Sequence, residues 1–354
     1  MQIERVEVTP VQLSLRESFR SARYTDPLSQ VEAVFIRAEL TRDYGDAWGC
    51  AVLDPAGGET LEQVRQACQD CADRLRDVNP LNTQFALAEL ATITKGIPAV
   101  QCAFDMLLYD LLGLFSGLPL YKLLGGYRDR IQTSITLGIE DMPATVETAR
   151  KHAQAGFRIL KLKGGLDPEQ DVRRVRAVKR ALPNLTLRLD ADQGYSVQAA
   201  LEVSRALEGK LEFLEQPTAA DDLSALRQVT DNSPVPILAD ESLRGPASAL
   251  DIVNQRAAHG ISTKLASCGG LDCARQIDTI ARAGHLSTMV GCLNEPALLI
   301  AAGLSLALSS PNVRYGDLDG HFELENDPTT PGFVFEDGWL IASEAPGLGC
   351  RVEL

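Results

Sequence analysis

FRILKLKGGLDPEQDVRRVRAVKRALPNLTLRLDAD, residues 157–192, contains two short apolar runs separated by a segment with helical spacing. The runs are FRILKLK and LTLRLDAD, and both end in charged residues. A short apolar run bounded by polar residues is typical of a strand that is buried on both faces of a parallel sheet. The stretch therefore predicts one strand–helix–strand unit.

Similar apolar runs recur through the second half of the chain. The charged residues that end five consecutive runs, Lys163, Asp190, Glu215, Asp240 and Lys264, are separated by 27, 25, 25 and 24 residues. A repeat of about 25 residues is one βα unit, and eight such strands close into a parallel barrel. The remaining runs are QTSITLG (132–138), LEFLEQP (211–217), VPILADES (235–242), GISTKLAS (260–267), LSTMVGC (286–292) and NVRYGDLD (312–319). Seven helical segments fit between the eight runs, so we predict an α/β fold with a TIM-like (β/α)7β barrel.

The first part of the chain has a different pattern. Residues 1–40 carry two stretches of alternating polarity, and helical spacing dominates from residue 58 to about residue 124. Strands followed by helices indicate a small α+β domain. We therefore predict an α+β domain at 1–125, the barrel at 126–322, and a C-terminal segment at 323–354 that returns to the first domain.

Composition limits the classes of partner. The formal net charge is −14, from 34 basic and 48 acidic residues. Such a field attracts neither nucleic acid nor an anionic membrane, so we expect a small-molecule partner. We expect no membrane span, since no apolar run reaches the roughly 18 residues that one needs, and MQIERVEVTP lacks the apolar core of a signal peptide. Eight cysteines are too sparse for a disulfide scaffold, and Cys68 and Cys71 fall in a helical stretch, so we expect a reduced, cytoplasmic protein.

Three carboxylates end three adjacent predicted strands: Asp190, Glu215 and Asp240. In such barrels the active site lies at the carboxyl ends of the strands. Any one of these residues alone is explained by a helix N-cap or a loop ion pair. Three hard oxygen ligands on adjacent strands instead indicate a Mg²⁺ site that leaves positions open for substrate oxygens.

Lysines flank these carboxylates on both sides. Lys161 and Lys163 are two residues apart on one predicted strand, so their side chains share a face. Mutual repulsion and a nearby divalent cation are expected to lower their pKa values, so that a lysine acts as a base near pH 7. Lys264 ends a strand roughly across the barrel, and two opposed bases permit a proton to leave one face of a carbon and return to the other. A salt bridge at the rim or a Schiff-base role for Lys264 are the alternatives.

Six segments stand in order at the predicted strand ends: KLKGG (161–165), DADQGY (190–195), EQP (215–217), ADES (239–242), TKLASCGGL (263–271) and MVGCLNEP (289–296). Together with FDMLLYDLLGLFSGLPLYKLLGG (104–126), they resemble the enolase superfamily in its muconate-lactonizing-enzyme subgroup. The resemblance implies an α+β capping domain over the barrel and Mg²⁺ on the carboxylate triad. It also implies that Lys163 and Lys264 form the acid/base pair and that Lys161 helps stabilise an enolate.

Three positions depart from the family pattern. Asp192 stands where the family often has Asn, which helps bind a substrate carboxylate. Cys50, within AWGCAVLDP, replaces a common Glu. In MVGCLNEP, Asn294 precedes Glu295, and Pro296 stands where a Ser often follows the Glu. The first departure bears on carboxylate binding, and the metal triad is unchanged.

The segment RYGDLDGHF (314–322) places Asp317 and Asp319 two residues apart at the end of the eighth strand. Dipeptide epimerases of this subgroup carry an Asp-x-Asp there that holds the substrate amine, so the resemblance implies epimerisation of the C-terminal residue of an L,L-dipeptide to the L,D form. The alternative within the superfamily is a cycloisomerase or dehydratase of the muconate cycloisomerase or o-succinylbenzoate synthase type. A Schiff-base lyase, a catalytically silent binding barrel and a purely structural turn at this pair are further alternatives.

Substrate side-chain selectivity is expected from the loop SFRSARYTDPL (18–28) and from residues 291–296. Arg20 and Arg23 would favour an acidic side chain, with solvated loop charges as the alternative, whereas Asp26 and Glu295 would favour a basic one. The sequence does not rank these alternatives. Tyr24 and Asn294 are further candidate substrate contacts, as is Asp192. Barrels of this kind commonly associate, so we expect a homo-oligomer.

Overall fold

The computed structural model describes residues 3–40 and 45–354. The first part of the chain forms an antiparallel sheet in which the central strand pairs with its two neighbours, and helices pack against it. Its elements are β1 (Ile3–Phe19), β2 (Leu28–Leu40), β3 (Asp46–Val52), α1 (Leu61–Leu75), α2 (Thr83–Thr94), α3 (Pro98–Ser116) and α4 (Leu120–Leu123). This part is the α+β unit expected from the sequence.

Local sequence signals set the first helix. Thr60 caps α1 by accepting a hydrogen bond from the Gln63 amide, while the Gln63 side chain accepts one from the Thr60 amide. Cys68 and Cys71 lie on the buried face of α1, as the helical interpretation predicts. All eight cysteines lie among the described residues, and each is a free thiol.

Helix α3 is long and apolar enough to cross a membrane by length and composition, although no uninterrupted apolar run has that length. Most of α3 is buried inside the protein, against β3 and α2. A mostly buried apolar helix is typical of a protein core. The expected cytoplasmic location and homo-oligomeric state of the protein stay predictions.

Eight parallel strands follow in the described part of the chain, and each is hydrogen-bonded to the next. After a short β4 (Arg130–Gln132) they are β5 (Ser134–Leu137), β6 (Ile159–Lys163), β7 (Thr186–Asp190), β8 (Leu214–Glu215), β9 (Ile237–Ala239), β10 (Gly260–Lys264), β11 (Ser287–Gly291) and β12 (Val313–Gly316). The connecting helices are α5 (Met142–Gln154), α6 (Pro168–Ala181), α7 (Val197–Ala206), α8 (Leu223–Asn232), α9 (Pro246–Gln255), α10 (Leu265–Cys268), α11 (Leu271–Ala283) and α12 (Ala297–Ser309). The predicted (β/α)7β order is confirmed, with α10 as an additional single turn.

The first and last barrel strands meet through a bridge between Thr133 and Gly316. The Leu318 amide also donates to the Thr133 hydroxyl at 2.8 Å, so the sheet is nearly closed. Because all eight strands are parallel, their carboxyl ends lie at one end of the barrel.

The chain ends in a short 3₁₀ turn (Gly320–Glu323) and four short strands. These are β13 (Thr329–Thr330), β14 (Phe333–Glu336), β15 (Trp339–Ala342) and β16 (Arg351–Val352). Strand β15 pairs with β4, beside the barrel, while the Leu348 amide donates to Asp110 on α3. The C-terminal segment therefore contacts the barrel as well as the first domain, and the exact domain boundaries stay a prediction.

Candidate active site

Charged side chains end five adjacent barrel strands. Lys163 and Asp190 are direct partners in the β6–β7 register, and Asp190 and Glu215 are partners in the β7–β8 register. Asp240 immediately follows β9, and Lys264 is the last residue of β10. Strand register therefore places the two lysines on either side of the three carboxylates.

The carboxylates of Asp190, Glu215 and Asp240 converge, with one oxygen from each lying within 4.8 Å of the others. They are 0%, 0% and 4% exposed, and among the described residues Oε1 of Glu215 has no hydrogen-bond partner. Burial raises the pKa of Glu215 well above its ordinary value, and the neighbouring carboxylates oppose the lowering effect of Lys161. Buried carboxylates this close need compensating positive charge, and hard oxygen donors are the ligands of Mg²⁺. These residues fit a divalent cation, which all three would hold.

Each flanking lysine bonds to a member of the triad. Lys163 donates to Oδ2 of Asp190 at 2.7 Å and to Oδ1 of Asp192 at 2.8 Å, and Lys264 donates to Asp240. Burial would lower the pKa of Lys163, but these two carboxylates outweigh it and hold the pKa well above its ordinary value. Carboxylate charge thus outweighs lysine–lysine repulsion in this arrangement, and the expected lowering by a bound divalent cation stays a prediction.

Lys161 links the triad to the end of β12. Its Nζ lies 3.4 Å from carboxylate oxygens of both Asp190 and Glu215, and it donates to Oδ2 of Asp317. The Ser134 hydroxyl donates to Oδ1 of Asp317 at 2.5 Å. Both oxygens of Asp317 are thus bonded within the protein, and this carboxylate orients Lys161.

Asp319 forms an acidic wall of the cavity that the three lysines line. It accepts a hydrogen bond from the Thr136 amide at 2.6 Å and one from the Cys292 thiol at 3.5 Å. Glu323 borders the same cavity, four residues after Asp319. Of the predicted Asp pair, Asp319 is the better placed for a substrate ammonium group, and sequence reasoning missed Glu323.

The structure separates the two loop arginines. Arg20 is exposed and borders a different groove, whereas Arg23 and Tyr24 border the lysine-lined cavity. Arg23 donates through Nη1 to Glu241 at 3.0 Å and through Nη2 to Asp54. Arg20 therefore fits the alternative of a solvated loop charge, and the geometry does not favour attraction of an acidic side chain by Arg23, because that arginine is already paired.

Sequence reasoning missed both partners of that arginine. Glu241 directly follows a predicted metal ligand in ADES, and Asp54 comes just after β3 in LDP. These positions next to the motifs are the sequence signal that could have identified both residues. Asp54, Glu59 and Glu241 line a second cavity that reaches Lys264. Oε2 of Glu241 is buried and has no hydrogen-bond partner among the described residues. The second cavity is therefore acidic.

The remaining predicted substrate contacts divide into two groups. Asn294 borders the lysine-lined cavity, and Asp192 borders the second cavity with one oxygen held by Lys163. Glu295 does not border either cavity; it lies behind the wall, where it accepts a hydrogen bond from the Leu293 amide at 3.1 Å. Asp26 is exposed on the outer loop, so neither Glu295 nor Asp26 borders these two cavities, and their preference for a basic side chain stays a prediction.

Comparisons with known proteins agree with this geometry. Residues 144–353 match the family model described as enolase C-terminal domain-like. The chain is 41% identical over 300 residues to an L-Lys-D/L-Arg epimerase of Methylococcus capsulatus, covering 82% of this chain and 83% of that protein.

Two solved structures superimpose over the whole chain. A substrate-liganded complex of the L-Ala-D/L-Glu epimerase from Bacillus subtilis has a TM-score of 0.95 at 30% identity, with both chains fully covered. A dipeptide epimerase from Methylococcus capsulatus, complexed with Mg and the dipeptide L-Arg-D-Lys, has a TM-score of 0.94 at 34% identity, again with both chains fully covered. The chain therefore belongs to the enolase superfamily, and it is an isomerase similar to the dipeptide epimerases of that superfamily.

Proposed function

We propose that the protein epimerises the C-terminal residue of a dipeptide, from L,L to L,D, by moving its α-proton between Lys163 and Lys264 with Mg²⁺ on the carboxylate triad. The observation that carries the proposal is the placement of these lysines, which line one cavity, on strands that flank Asp190, Glu215 and Asp240. Relatives that are named dipeptide epimerases, and their Mg complexes, support the same reaction.

The chemical difficulty is the weak acidity of the α-proton. Removing a proton beside a carboxylate leaves two negative charges on one enolate, so positive charge must be placed where they develop. A bound Mg²⁺ would supply such charge and would also offset the carboxylates that now raise the lysine pKa values. The Lys161 ammonium, 3.4 Å from Asp190 and Glu215, adds a fixed positive charge beside the triad.

The proton balance requires the two lysines in opposite states. The neutral amine of one takes the α-proton, and the C–H electron pair passes into the enolate. The ammonium group of the other then donates a proton to the opposite face of the same carbon. Inversion results, no group leaves, and the reverse reaction uses the two lysines in exchanged roles.

The N-terminal amine of the substrate is proposed to bind at the acidic wall of the lysine-lined cavity. Asp319 and Glu323 border the lysine-lined cavity and not the second cavity, while Asp317 is occupied by Lys161. A substrate ammonium beside Asp319 gains a charge-assisted hydrogen bond, whereas a substrate without a positive charge would leave this buried carboxylate without a substrate charge to balance it. A cycloisomerase or dehydratase substrate without an ammonium group is therefore disfavoured.

The side chain of the epimerised residue is proposed to be cationic. The second cavity reaches Lys264 and so adjoins the reacting carbon, and Asp54, Glu59 and Glu241 line it. Arg23, which pairs with Asp54 and Glu241, and Arg244 also line it, so three carboxylates against two guanidinium groups leave net negative charge on the wall. A Lys or Arg side chain complements such a wall, whereas a Glu side chain is repelled by it.

The test is incubation with Mg²⁺ and a pooled L,L-dipeptide library in D₂O, read by mass spectrometry. We expect a gain of about one mass unit, from one exchanged α-proton, in dipeptides with a free amine and a basic C-terminal residue. Asp240→Asn is the control and should abolish exchange, because it removes one ligand charge. Metal-loaded enzyme that exchanges no dipeptide would contradict the proposal.

A further inference from the structure

Helix α11 begins without a cap of its own. Its N-cap residue is Gly270, which has no side chain to accept hydrogen bonds from the first turn. Asp105, on α3 of the first domain, takes that place: Oδ1 accepts from the Leu271 amide at 2.5 Å and Oδ2 from the Asp272 amide at 3.1 Å. A carboxylate at a helix N-terminus satisfies free amides and interacts favourably with the helix dipole.

The first capped amide, that of Leu271, lies seven residues after Lys264, in a segment with several backbone hydrogen bonds. The Leu265 carbonyl accepts hydrogen bonds from the amides of both Gly269 and Gly270, at 3.1 and 3.0 Å. The single turn α10 and the start of α11 are therefore joined through the residue that follows Lys264. A shift of the α11 N-terminus would be passed to Lys264 by a short path.

The first domain fits closely against this segment. Gly269 and Gly270 have φ values of +96° and +105°, in the left-handed region that favours glycine. A Cβ on Gly270 would lie 2.6 Å from Oδ1 of Asp105, and one on Gly269 would lie 2.9 Å from the Gln101 side chain. Asp105 is 0% exposed. Two consecutive glycines thus permit α3 to approach the segment that carries Lys264.

We propose that Asp105 is a positioning residue for Lys264: its carboxylate, supplied by the first domain, fixes the α10–α11 segment and thereby the base at the end of β10. The proposal rests on the two-lysine reaction proposed above. It predicts that loss of the cap impairs proton transfer on the face of the substrate carbon that Lys264 serves. Transfer on the face that Lys163 serves should be little affected.

The experiment measures α-proton exchange in D₂O separately for the two epimers of one dipeptide, with Mg²⁺-loaded full-length protein. Lys264→Ala and Lys163→Ala identify which epimer depends on which lysine. Asp105→Asn should then slow exchange of the Lys264-dependent epimer by about tenfold to 100-fold, the usual cost of misplacing a catalytic group by about 1 Å. The other epimer should change less than about threefold.

Asp110→Asn is the matched control. Asp110 lies on the same helix, is buried, and also accepts two amides, from Trp48 at 2.9 Å and Leu348 at 2.7 Å, but neither belongs to the lysine segment. It should slow both epimers equally, if at all. If Asp105→Asn behaves like Asp110→Asn, or changes neither epimer, the positioning role is wrong.

If circular dichroism shows that Asp105→Asn does not fold, Gly270→Ala replaces it, since the new Cβ displaces the Asp105 carboxylate. An equal loss of exchange rate for both epimers in Gly270→Ala would then overturn the positioning role. The two lysine variants separate this inference from the proposed function. If they do not show opposite epimer preferences, the two-lysine reaction itself fails. If they do, the outcome for Asp105→Asn decides the positioning role alone.

Discussion

Replacing Asp54 by Asn should shift the preferred substrate side chain from basic toward acidic. Arg23, Asp54 and Glu241 carry one positive and two negative charges, and their side chains are 18%, 16% and 9% exposed. The substitution keeps the Oδ1 acceptor that caps the Ala56 amide at 3.0 Å, but it removes one negative charge and leaves Arg23 with Glu241 alone. The Arg23 cluster thereby becomes neutral, and the wall of the second cavity loses one unit of negative charge.

The magnitude follows from Coulomb's law. For a substrate charge about 7 Å from Asp54, with an effective dielectric constant of about 40 for this partly open cavity, one unit charge contributes about 1.2 kcal/mol. The effect has opposite signs for cationic and anionic side chains. Selectivity between them should therefore change by about 2.4 kcal/mol, which is roughly 50-fold in the ratio of kcat/KM values.

The assay compares kcat/KM for L-Ala-L-Lys and L-Ala-L-Glu, from initial rates of α-proton exchange in D₂O. Glu62→Gln is the control, because it removes one negative charge from the exposed face of α1, and it should leave the ratio unchanged. A folded Asp54→Asn protein whose ratio moves by less than about threefold would refute the electrostatic account of this cavity.

Three further predictions concern the amine site, the metal and a buried carboxylate. Asp319→Asn should raise KM for dipeptides with a free amine by roughly tenfold to 100-fold, the cost of a hydrogen bond to a charged group, and equal loss for N-acetylated analogues would contradict this role. Mg²⁺ at about 100 times its Kd should raise the free energy of unfolding by about 2.7 kcal/mol in calorimetry, and an equal gain in Asp240→Asn would place the ion elsewhere. Burial raises the pKa of Asp110 to about 7, although two amides oppose the shift, against 3.8 for an ordinary Asp. As pH rises, the Asp110 carboxyl loses its proton at a lower pH in the unfolded chain than in the folded protein. Asp110 therefore contributes stability that is fully present below about pH 4 and is lost as pH rises to about 7. At about 1.4 kcal/mol per unit the loss is at most about 4 kcal/mol. Denaturant unfolding of Asp110→Asn should show a correspondingly flatter pH dependence, and an identical slope to the unsubstituted protein would contradict it.

The sequence was sufficient to predict the barrel and the positions that carry its charges. Short apolar runs ending in Lys163, Asp190, Glu215, Asp240 and Lys264 at nearly constant spacing determine both the strand order and the end at which these side chains meet. This succeeded because a parallel strand has a fixed direction, so the position of a residue along the strand gives its place in the barrel.

Contacts between distant segments could not be predicted in the same way. The pairing of Arg23 with Asp54 and Glu241 joins three loops, and no local pattern states that these loops approach one another. The protonation state of the lysines could not be predicted for a related reason, since the pKa of Lys163 depends on how closely Asp190 and Asp192 surround it. Spacing along the chain indicates which face a side chain occupies, but not which opposite charge reaches it.

The most direct test of the account is exchange of the two epimers of one dipeptide by Lys163→Ala and Lys264→Ala in D₂O with Mg²⁺. Because the lysines are placed on strands that flank the carboxylate triad, each variant should abolish inversion. Each should still exchange the α-proton of one epimer, and the two variants should retain opposite epimers. If both variants retain the same epimer, or if either still inverts the substrate, the two-lysine assignment is contradicted.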